Sequence, residues 1–260
     1  MGTYTSLVGS ASVTKTYVRP RAYVCVRGPD AADLLQRVVS NDVVAGETCE
    51  ALLLTPKGRV IAPLVVWRRG EEDFLLLTEP ELGATVRDHL TRSRIASRCE
   101  IELEEHTSAI VFGEADGIPT RDYGVPAVEV LDAGLEASPP DEELERLRIL
   151  ARTPRWGREI DDGILPAEAG LDERAVSFTK GCYPGQEPLA RLRNRGHVNR
   201  TLRVLELDGE SSRQAAEVRF EDGVVGRVTS AVPGLALAYV RVEVPDGAAL
   251  EVEGRRARIH

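Results

Sequence analysis

The apolar residues of this chain follow two spacings, one typical of helices and one typical of strands. Across residues 29–39 they recur at i, i+3, i+4 and i+7, so a helix there would have a single apolar face. Similar spacings predict two more helices, at residues 80–95 and 139–152. Short apolar runs between turn residues predict strands at residues 23–26, 51–55, 60–67, 74–78, 101–103 and 109–112.

The last part of the chain has a different pattern. Short apolar runs separated by glycine turns predict strands at residues 202–207, 223–229, 235–244 and 249–255. This pattern is typical of a small antiparallel barrel or sandwich. Because hairpin connections dominate the region before it and helices are few, the predicted fold class is α+β and not a doubly wound parallel sheet.

Composition narrows the class of protein. The net charge of −9 argues against a general nucleic-acid coat, which is usually basic throughout. No apolar run approaches the roughly 20 residues of a membrane span, so no membrane partner is expected. The N-terminus lacks a basic region followed by a long apolar stretch, so no secretory signal is expected either. The four cysteines are scattered without a CxxC pair, which predicts no metal site and favours a reducing, cytoplasmic location.

One segment departs from the acidic average. Between residues 180 and 203 the only acid is Glu187, against six basic residues: Lys180, Arg191, Arg193, Arg195, Arg200 and Arg203. Such arginines could grip phosphates or carboxylates through paired guanidinium contacts. They are equally consistent with a solvated strand edge, where charge discourages pairing between sheets.

Residues 180–187, which read KGCYPGQE, combine a cation, a thiol, a phenol, an amide and a carboxylate. The pair Pro184-Gly185 has the residue types of a type II turn, with Pro at i+1 and Gly at i+2. Such a turn would project Cys182 from a stiff loop, and Lys180 would favour its thiolate form. The alternative is a surface turn in which the cysteine is incidental.

These residues, followed by Ala190-Arg191, resemble the KGCYxGQE…AR signature of YgfZ-type proteins and their mitochondrial iron–sulfur assembly relatives. Residues 28–43 and 54–60 are similar to the opening helix and hairpin of the same family, and residues 226–230 resemble the GxVTS strand of the glycine-cleavage T-protein barrel. The resemblance implies a T-protein-like ring of three small domains around folate. It implies a discontinuous folate-binding domain of residues 1–50 and 114–200, a ferredoxin-like domain of 51–113 and a β-barrel of 201–260.

The resemblance also implies a function and a set of site residues. It implies a factor that binds tetrahydrofolate or a derivative and helps to assemble or maintain iron–sulfur clusters, with a link to tRNA modification. Its partners would be folate and iron–sulfur client proteins or assembly machinery. The working loop residues would be Cys182 and Lys180. Arg148 matches an arginine that contacts the pterin in T-proteins, and the further folate-binding candidates are Tyr183, Gln186, Glu187, Glu168 and Arg191.

One departure from T-proteins bears on activity. Their hairpin continues into a pair of aspartates, one of them central to aminomethyl transfer, and here the corresponding positions are Ala62 and Pro63. Neither side chain can accept a proton or stabilise a cationic folate nitrogen. A folate-dependent aminomethyltransferase is therefore the second hypothesis. A third is a tRNA-associated protein that binds through Arg191, Arg193, Arg195 and Arg200.

Overall fold

A computed structural model describes residues 15–113, 115–209 and 213–260. Residues 1–14, which include the N-terminus predicted to carry no secretory signal, lie outside the described residues. The strands are β1 (Thr16–Val18), β2 (Ala22–Arg27), β3 (Thr48–Leu54), β4 (Val60–Arg68), β5 (Asp73–Thr78), β6 (Glu100–Glu104), β7 (Ser108–Phe112), β8 (Ile118–Thr120), β9 (Ala127–Leu131), β10 (Arg200–Leu207), β11 (Glu217–Phe220), β12 (Gly223–Val232), β13 (Leu235–Arg241), β14 (Leu250–Val252) and β15 (Arg255–Ile259).

The helices are α1 (Ala31–Val38), α2 (Gly83–Ser93), α3 (Glu142–Leu150), α4 (Asp172–Ala175) and α5 (Gln186–Arg195). The three helices predicted from apolar spacing are confirmed by α1, α2 and α3. Helix α5 was not predicted. It contains Arg191, Arg193 and Arg195, so the hypothesis that the basic segment is a strand edge is wrong for these three arginines. The helical spacing of Leu189 and Leu192 was the available signal, but Pro188 and the surrounding arginines weakened it.

A five-stranded antiparallel sheet, in the order β3-β4-β5-β2-β6, supports the first half of the chain. One face of this sheet carries Val24, Val26 and Leu76, which pack against Leu34 of α1 and Leu90 of α2 in a fully buried cluster. Because side chains alternate along a strand, the intervening residues point to the opposite face. The apolar face predicted for α1 is therefore the face that covers the sheet.

The opposite face of this sheet packs against a second sheet. Tyr23, Cys25 and Leu77 cluster with Ile118 of β8 in the four-stranded sheet β1-β7-β9-β8. Strand β2 pairs with β5 and β6, so the five-stranded sheet crosses the predicted boundary at residue 50. Strand β7 pairs with β9, which crosses the predicted boundary at residue 113. The sheets thus group the strands differently from the domain limits, which stay a prediction.

The C-terminal strands close into a six-stranded antiparallel barrel in the order β10-β13-β12-β11-β14-β15, which confirms the predicted barrel. Its interior is filled by small and branched side chains such as Leu205, Val218 and Ala238. At Gly226 a Cβ atom would lie 2.2 Å from the Tyr239 carbonyl oxygen, so β12 and β13 approach closely because this position has no side chain. No helix among the described residues is both long and apolar enough to cross a membrane.

A histidine links the two sheets near the ends of β6 and β9. The His106 Nδ1 atom lies 2.6 Å from Asp132 Oδ2, and its Nε2 atom lies 2.9 Å from Glu104 Oε2. Both ring nitrogens can donate only when the imidazole is protonated. Burial opposes that charge, but the hydrogen bonds to Asp132 and Glu104 outweigh it and raise the pKa of His106 above its usual value.

We expect His106→Gln to lower the free energy of unfolding by about 1–2 kcal/mol at pH 5.5, because both charged hydrogen bonds are lost. Since the folded pKa is raised, the wild-type advantage is complete below the unfolded pKa of about 6.5 and disappears as pH rises through the folded pKa. Urea unfolding of the wild type and of His106→Gln from pH 5 to pH 9 measures this difference in the free energy of unfolding. His89→Gln is the control, because burial lowers the pKa of His89 and its removal should not destabilise the protein at low pH. A His106→Gln deficit that stays constant with pH would contradict the prediction.

Candidate functional site

The KGCYPGQE segment forms the turn that its residues predicted. Gly185 has φ 84° and ψ −3°, which is the conformation of the third residue of a type II turn, and it immediately precedes α5. A residue with a side chain is strained at such a positive φ. The turn therefore depends on glycine at position 185 and directs the chain straight into α5.

Gly185 also packs on the turn between β3 and β4. A Cβ atom at Gly185 would lie 2.7 Å from the Thr55 carbonyl oxygen and 3.0 Å from the Gly58 Cα atom. Gly58 in turn lies against Gly185 and Leu189, where its own Cβ would be 3.2 Å from the Leu189 side chain. The two sequence motifs at residues 54–60 and 180–187 are thus joined through backbone atoms.

Tyr183 anchors the loop from within. Its side chain is buried in a cluster that includes Leu54, Val60 and Leu189, and its hydroxyl donates a hydrogen bond of 2.9 Å to the Ser177 carbonyl. Burial raises the pKa of Tyr183 to about 12. The phenol therefore stays protonated at neutral pH and holds the loop in place. The structure gives Tyr183 this anchoring contact, and its predicted contact with folate stays a prediction.

Lys180 binds the end of α1 and not the neighbouring thiol. Its Nζ atom donates to the carbonyl oxygens of Val39 at 2.7 Å and Asn41 at 2.8 Å, and to the Gln36 side-chain oxygen at 3.3 Å. These three acceptors match the three donors of an ammonium group, so none is left for Cys182. Burial lowers the pKa of Lys180 to about 8.

The charge of Lys180 acts on the thiol of Cys49, which lies in β3. Burial raises the pKa of Cys49 to about 11, and Lys180 partly opposes that shift. Cys182 is only two residues from Lys180 in the sequence, yet the ammonium binds the end of α1 and its charge acts on Cys49. Cys182 itself is exposed on the loop.

The remaining motif residues are on the outer side of the loop and of α5. Cys182, Glu187 and Arg191 are exposed, and Gln186 reaches the Lys180 carbonyl at 3.5 Å. The thiol, a carboxylate and a guanidinium of the motif are therefore all open to solvent. This arrangement suits contact with another macromolecule better than enclosure of a small ligand.

Two of the four arginines proposed for tRNA contact are engaged with aromatic rings. The Arg193 guanidinium lies 4.3 Å from the Phe178 ring centroid, and the Arg200 guanidinium lies 4.7 Å from that of Tyr239. Arg200 also donates to Glu168 at 3.1 Å. The other Glu168 oxygen accepts from the Leu165 amide, so Glu168, a predicted folate residue, already supports local structure.

A polar cavity lies between the sheets and the segment after α3. The space that the centre of a water molecule can reach is about 70 Å³, which is room for a few waters. Its wall includes the apolar residues Ile118, Ile160 and Leu171, and the charged residues Arg19, Arg21, Glu50, Glu79, Asp122, Glu129, Arg148, Arg155 and Arg174. Five arginines and four acids face the same small space.

Asp122 is an acid of this cavity that the sequence did not single out as a site residue. The Arg174 guanidinium joins it to Glu50, at 2.9 Å from Asp122 Oδ1 and 2.8 Å from Glu50 Oε1. Burial disfavours the charge of Asp122, but Arg21 and Arg174 outweigh burial and hold the pKa of Asp122 below its usual value. Asp122 is therefore an anionic acceptor at neutral pH.

Arg148, the predicted pterin contact, is buried and largely committed. It donates four hydrogen bonds, two to Glu145, one to the Thr153 carbonyl at 2.6 Å and one to Glu159 at 3.1 Å. The second Glu159 oxygen accepts from Ser230 at 2.7 Å. Arg148 is thus a buried charge and does not face solvent. It ties α3 to the barrel, and its contact with folate stays a prediction.

The structure places Ala62 and Pro63 differently. Ala62 is fully buried in the core beneath α1 and α2, whereas Pro63 lines the cavity. The Pro63 carbonyl accepts a hydrogen bond of 2.8 Å from Thr78. Of the two positions that match the T-protein aspartate pair by resemblance, the one that lines the cavity is a proline.

We expect Gly185→Ala to lower the free energy of unfolding by about 2–4 kcal/mol, since it adds strain at positive φ and a backbone clash. Gly181→Ala is the matched control in the same loop, because nothing lies within 4 Å of its Cβ position. That control should change stability by about 0.5 kcal/mol or less. Urea unfolding of the three proteins measures the difference, and equal losses in both variants would refute the role given to Gly185.

Comparison with known proteins relates this architecture to one family. Residues 17–112 match the GCVT N-terminal domain. An uncharacterized protein of Haemophilus influenzae is 29% identical over 227 residues, which is 80% of each chain. The mitochondrial iron–sulfur cluster assembly factor IBA57 homolog of Neurospora crassa is 26% identical over 230 residues. The match covers 72% of this chain and 52% of the relative, so this chain spans about half the length of that longer protein.

The glycine cleavage system aminomethyltransferase T of Bartonella henselae has the same fold. Its structure superposes with a TM-score of 0.81 and 16% identity, covering 95% of this chain and 85% of that one. The closed barrel and the two antiparallel sheets with their helices therefore form a T-protein-like α+β fold, as predicted. The chain is thus similar to proteins related to the glycine-cleavage T-protein, in the sequence of residues 17–112 and in its fold.

Proposed function

We propose that this protein is a folate-binding accessory factor of the YgfZ type that works in the assembly or maintenance of iron–sulfur clusters, in the cytoplasm. The observation that carries the proposal is the pairing of an exposed Cys182, held on a rigid turn, with a polar cavity whose wall has Pro63 at one of the two positions matched to the T-protein aspartates. The names of the IBA57 relatives support the iron–sulfur part.

The groups on the cavity wall match the chemistry of a reduced folate, and the small space between them would have to widen to admit a pterin ring. A pterin ring presents N–H donors along one edge and two flat faces, so it needs buried acceptors and apolar walls. Asp122 and Glu50 supply anionic acceptors, and Ile118 and Leu171 supply apolar surface. A reduced folate would bring the nitrogen atoms that carry one-carbon groups.

The protein's own groups would hold the ligand and keep water away from it. Arg174 orients the Asp122 and Glu50 carboxylates through the hydrogen bonds described above and leaves Asp122 Oδ2 for a ligand donor. Arg148 and Glu168 would act indirectly. They would fix the segments that form the cavity wall. Within this arrangement no side chain at position 62 or 63 can take or give a proton.

The thiol of Cys182 would act outside the cavity. Its exposure on the loop suits contact with an iron–sulfur client or assembly protein. Among the described residues no group of three His, Cys, Asp or Glu side chains could hold a metal ion. A role for Cys182 toward a cluster would therefore need ligands from a partner.

An RNA-associated function is the second candidate. It is favoured by Arg191, Arg193 and Arg195, which are exposed along α5. Contacts of arginines with phosphates release counterions, so such binding would weaken steeply as salt rises. A tRNA complex that is absent, or that is insensitive to salt, would remove this candidate. Formation of methylene-tetrahydrofolate from an aminomethyl donor would instead support the aminomethyltransferase.

We expect tetrahydrofolate to bind the wild-type protein in isothermal titration, and Asp122→Asn to bind it about tenfold more weakly, because a charged acceptor is lost. Asp208→Asn is the control, since Asp208 is exposed on the barrel away from the cavity. Equal affinities for the two variants would place the ligand elsewhere. The absence of binding to wild type would refute the folate part of the proposal.

We expect Cys182→Ser to fold normally and to fail to restore a cluster-dependent enzyme in cells that lack this protein. The exposed position predicts a change in stability of about 0.5 kcal/mol or less. Thr179→Ala, an exposed change in the same loop, should restore activity fully. Restoration by Cys182→Ser equal to that of Thr179→Ala would show that the thiol is not needed.

A further inference from the structure

One corner of the cavity has hydrogen-bond donors that the protein does not use. Its members are Arg19, Tyr123 and Arg155, which line the cavity together. We refer to these three residues as the oxyanion corner. Arg19 donates from Nη2 to Glu79 at 3.0 Å, but its Nε atom is buried and has no hydrogen-bond partner within the described residues. A buried donor left in this state is costly, so its presence calls for a partner.

Arg155 is the second member, and its charge is poorly compensated. Its guanidinium has one ion pair among residues 15–113, 115–209 and 213–260, a 3.4 Å contact between Nη1 and Glu145 Oε2. Burial, followed by repulsion from Arg148, lowers the pKa of Arg155, and Arg19 adds to this repulsion. Two guanidinium groups thus face one space, and among the described residues each has a single acid partner, Glu79 for Arg19 and Glu145 for Arg155.

Tyr123 completes the corner with a neutral donor. Its ring is held by an edge contact with Phe112, at 5.4 Å between centroids, in the small core beneath β7 and β9. Burial raises the pKa of Tyr123, so the hydroxyl keeps its proton. No hydrogen bond within the described part of the chain uses that hydroxyl, although its pKa is sensitive to the charges of both Arg19 and Arg155.

The other cavity arginines differ in this respect. Arg21 makes a paired contact with both oxygens of Glu129, at 3.1 and 3.0 Å. Arg174 bridges Asp122 and Glu50, and Arg148 is held by Glu145 and Glu159. Acids satisfy three of the five arginines, and the two that keep free donors lie together beside Tyr123.

We propose that the oxyanion corner binds a carboxylate or phosphate group, with Arg155 and Arg19 as charged donors and Tyr123 as a neutral one. Charge-assisted hydrogen bonds of this kind are the strongest that proteins make to oxyanions. The anion has two candidate sources. One is the glutamate tail of a bound folate, which rests on the proposed function, and the other is a free small anion, which does not.

The test compares Arg155→Gln with Arg158→Gln by isothermal titration. Arg158 is the matched control because it pairs with the same Glu145, at 3.1 Å, but is not part of the cavity wall. The probes are tetrahydrofolate, N-(4-aminobenzoyl)glutamate as the tail alone, 6-methyltetrahydropterin as the ring alone, and inorganic phosphate. Tyr123→Phe removes a single hydroxyl. It tests the same site independently if Arg155→Gln fails to fold.

We expect Arg155→Gln to bind the tail or phosphate about tenfold more weakly than wild type, and Tyr123→Phe about threefold more weakly, with Arg158→Gln unchanged. Weaker binding of tetrahydrofolate and of the tail, with the ring unaffected, identifies the folate tail as the source. Weaker binding of phosphate alone identifies a free anion.

Two results separate this site from the folate proposal. If Arg155→Gln and Arg158→Gln bind every anionic probe alike while tetrahydrofolate still binds, the oxyanion corner is refuted and the folate proposal stands. If wild type binds phosphate through Arg155 but binds no tetrahydrofolate, the folate proposal fails and the oxyanion corner stands.

Discussion

The contact between Gly185 and the turn at Thr55–Gly58 brings the parts of this protein together. Two backbones meet there at a distance that no Cβ atom would allow, and the apolar residues around them form a shared core. That core contains Leu54 and Val60 from the β3–β4 hairpin, Tyr183 and Leu189 from the loop and α5, and Leu202 and Leu237 from the barrel. The position of the Cys182 loop therefore depends on the same packing that joins the barrel to the sheets.

The cavity shows a second constraint, which is electrostatic. Buried charges are costly unless they are paired, and this wall contains five arginines. Glu129, Glu50, Asp122, Glu145 and Glu159 between them neutralise Arg21, Arg174 and Arg148, which gives those arginines a structural role. The pairing is incomplete at Arg19 and Arg155, and the difference separates residues that hold the cavity together from residues that remain open to a ligand.

Much of the fold could be predicted from the sequence because the signals were local. The i, i+3, i+4 spacing over residues 29–39 gave α1, alternating apolar runs gave the hairpins, and glycine-punctuated strands gave the barrel. Helix α5 was missed because Pro188 and a run of arginines hid its short apolar stripe. Arg148 was found by resemblance, but its burial and its four hydrogen bonds could not be known before α3 was placed against Glu159.

The sequence by itself determined the turn at Pro184-Gly185, helix α1, the barrel strands and the absence of an acid at positions 62 and 63. Each of these depends on residue identity or on neighbours a few positions away. The tertiary structure decided which charges meet. Lys180 reaches across more than 135 positions to the end of α1, and Arg174 joins acids 124 and 52 positions away. Such pairings follow from distances between elements after packing, which no local pattern contains.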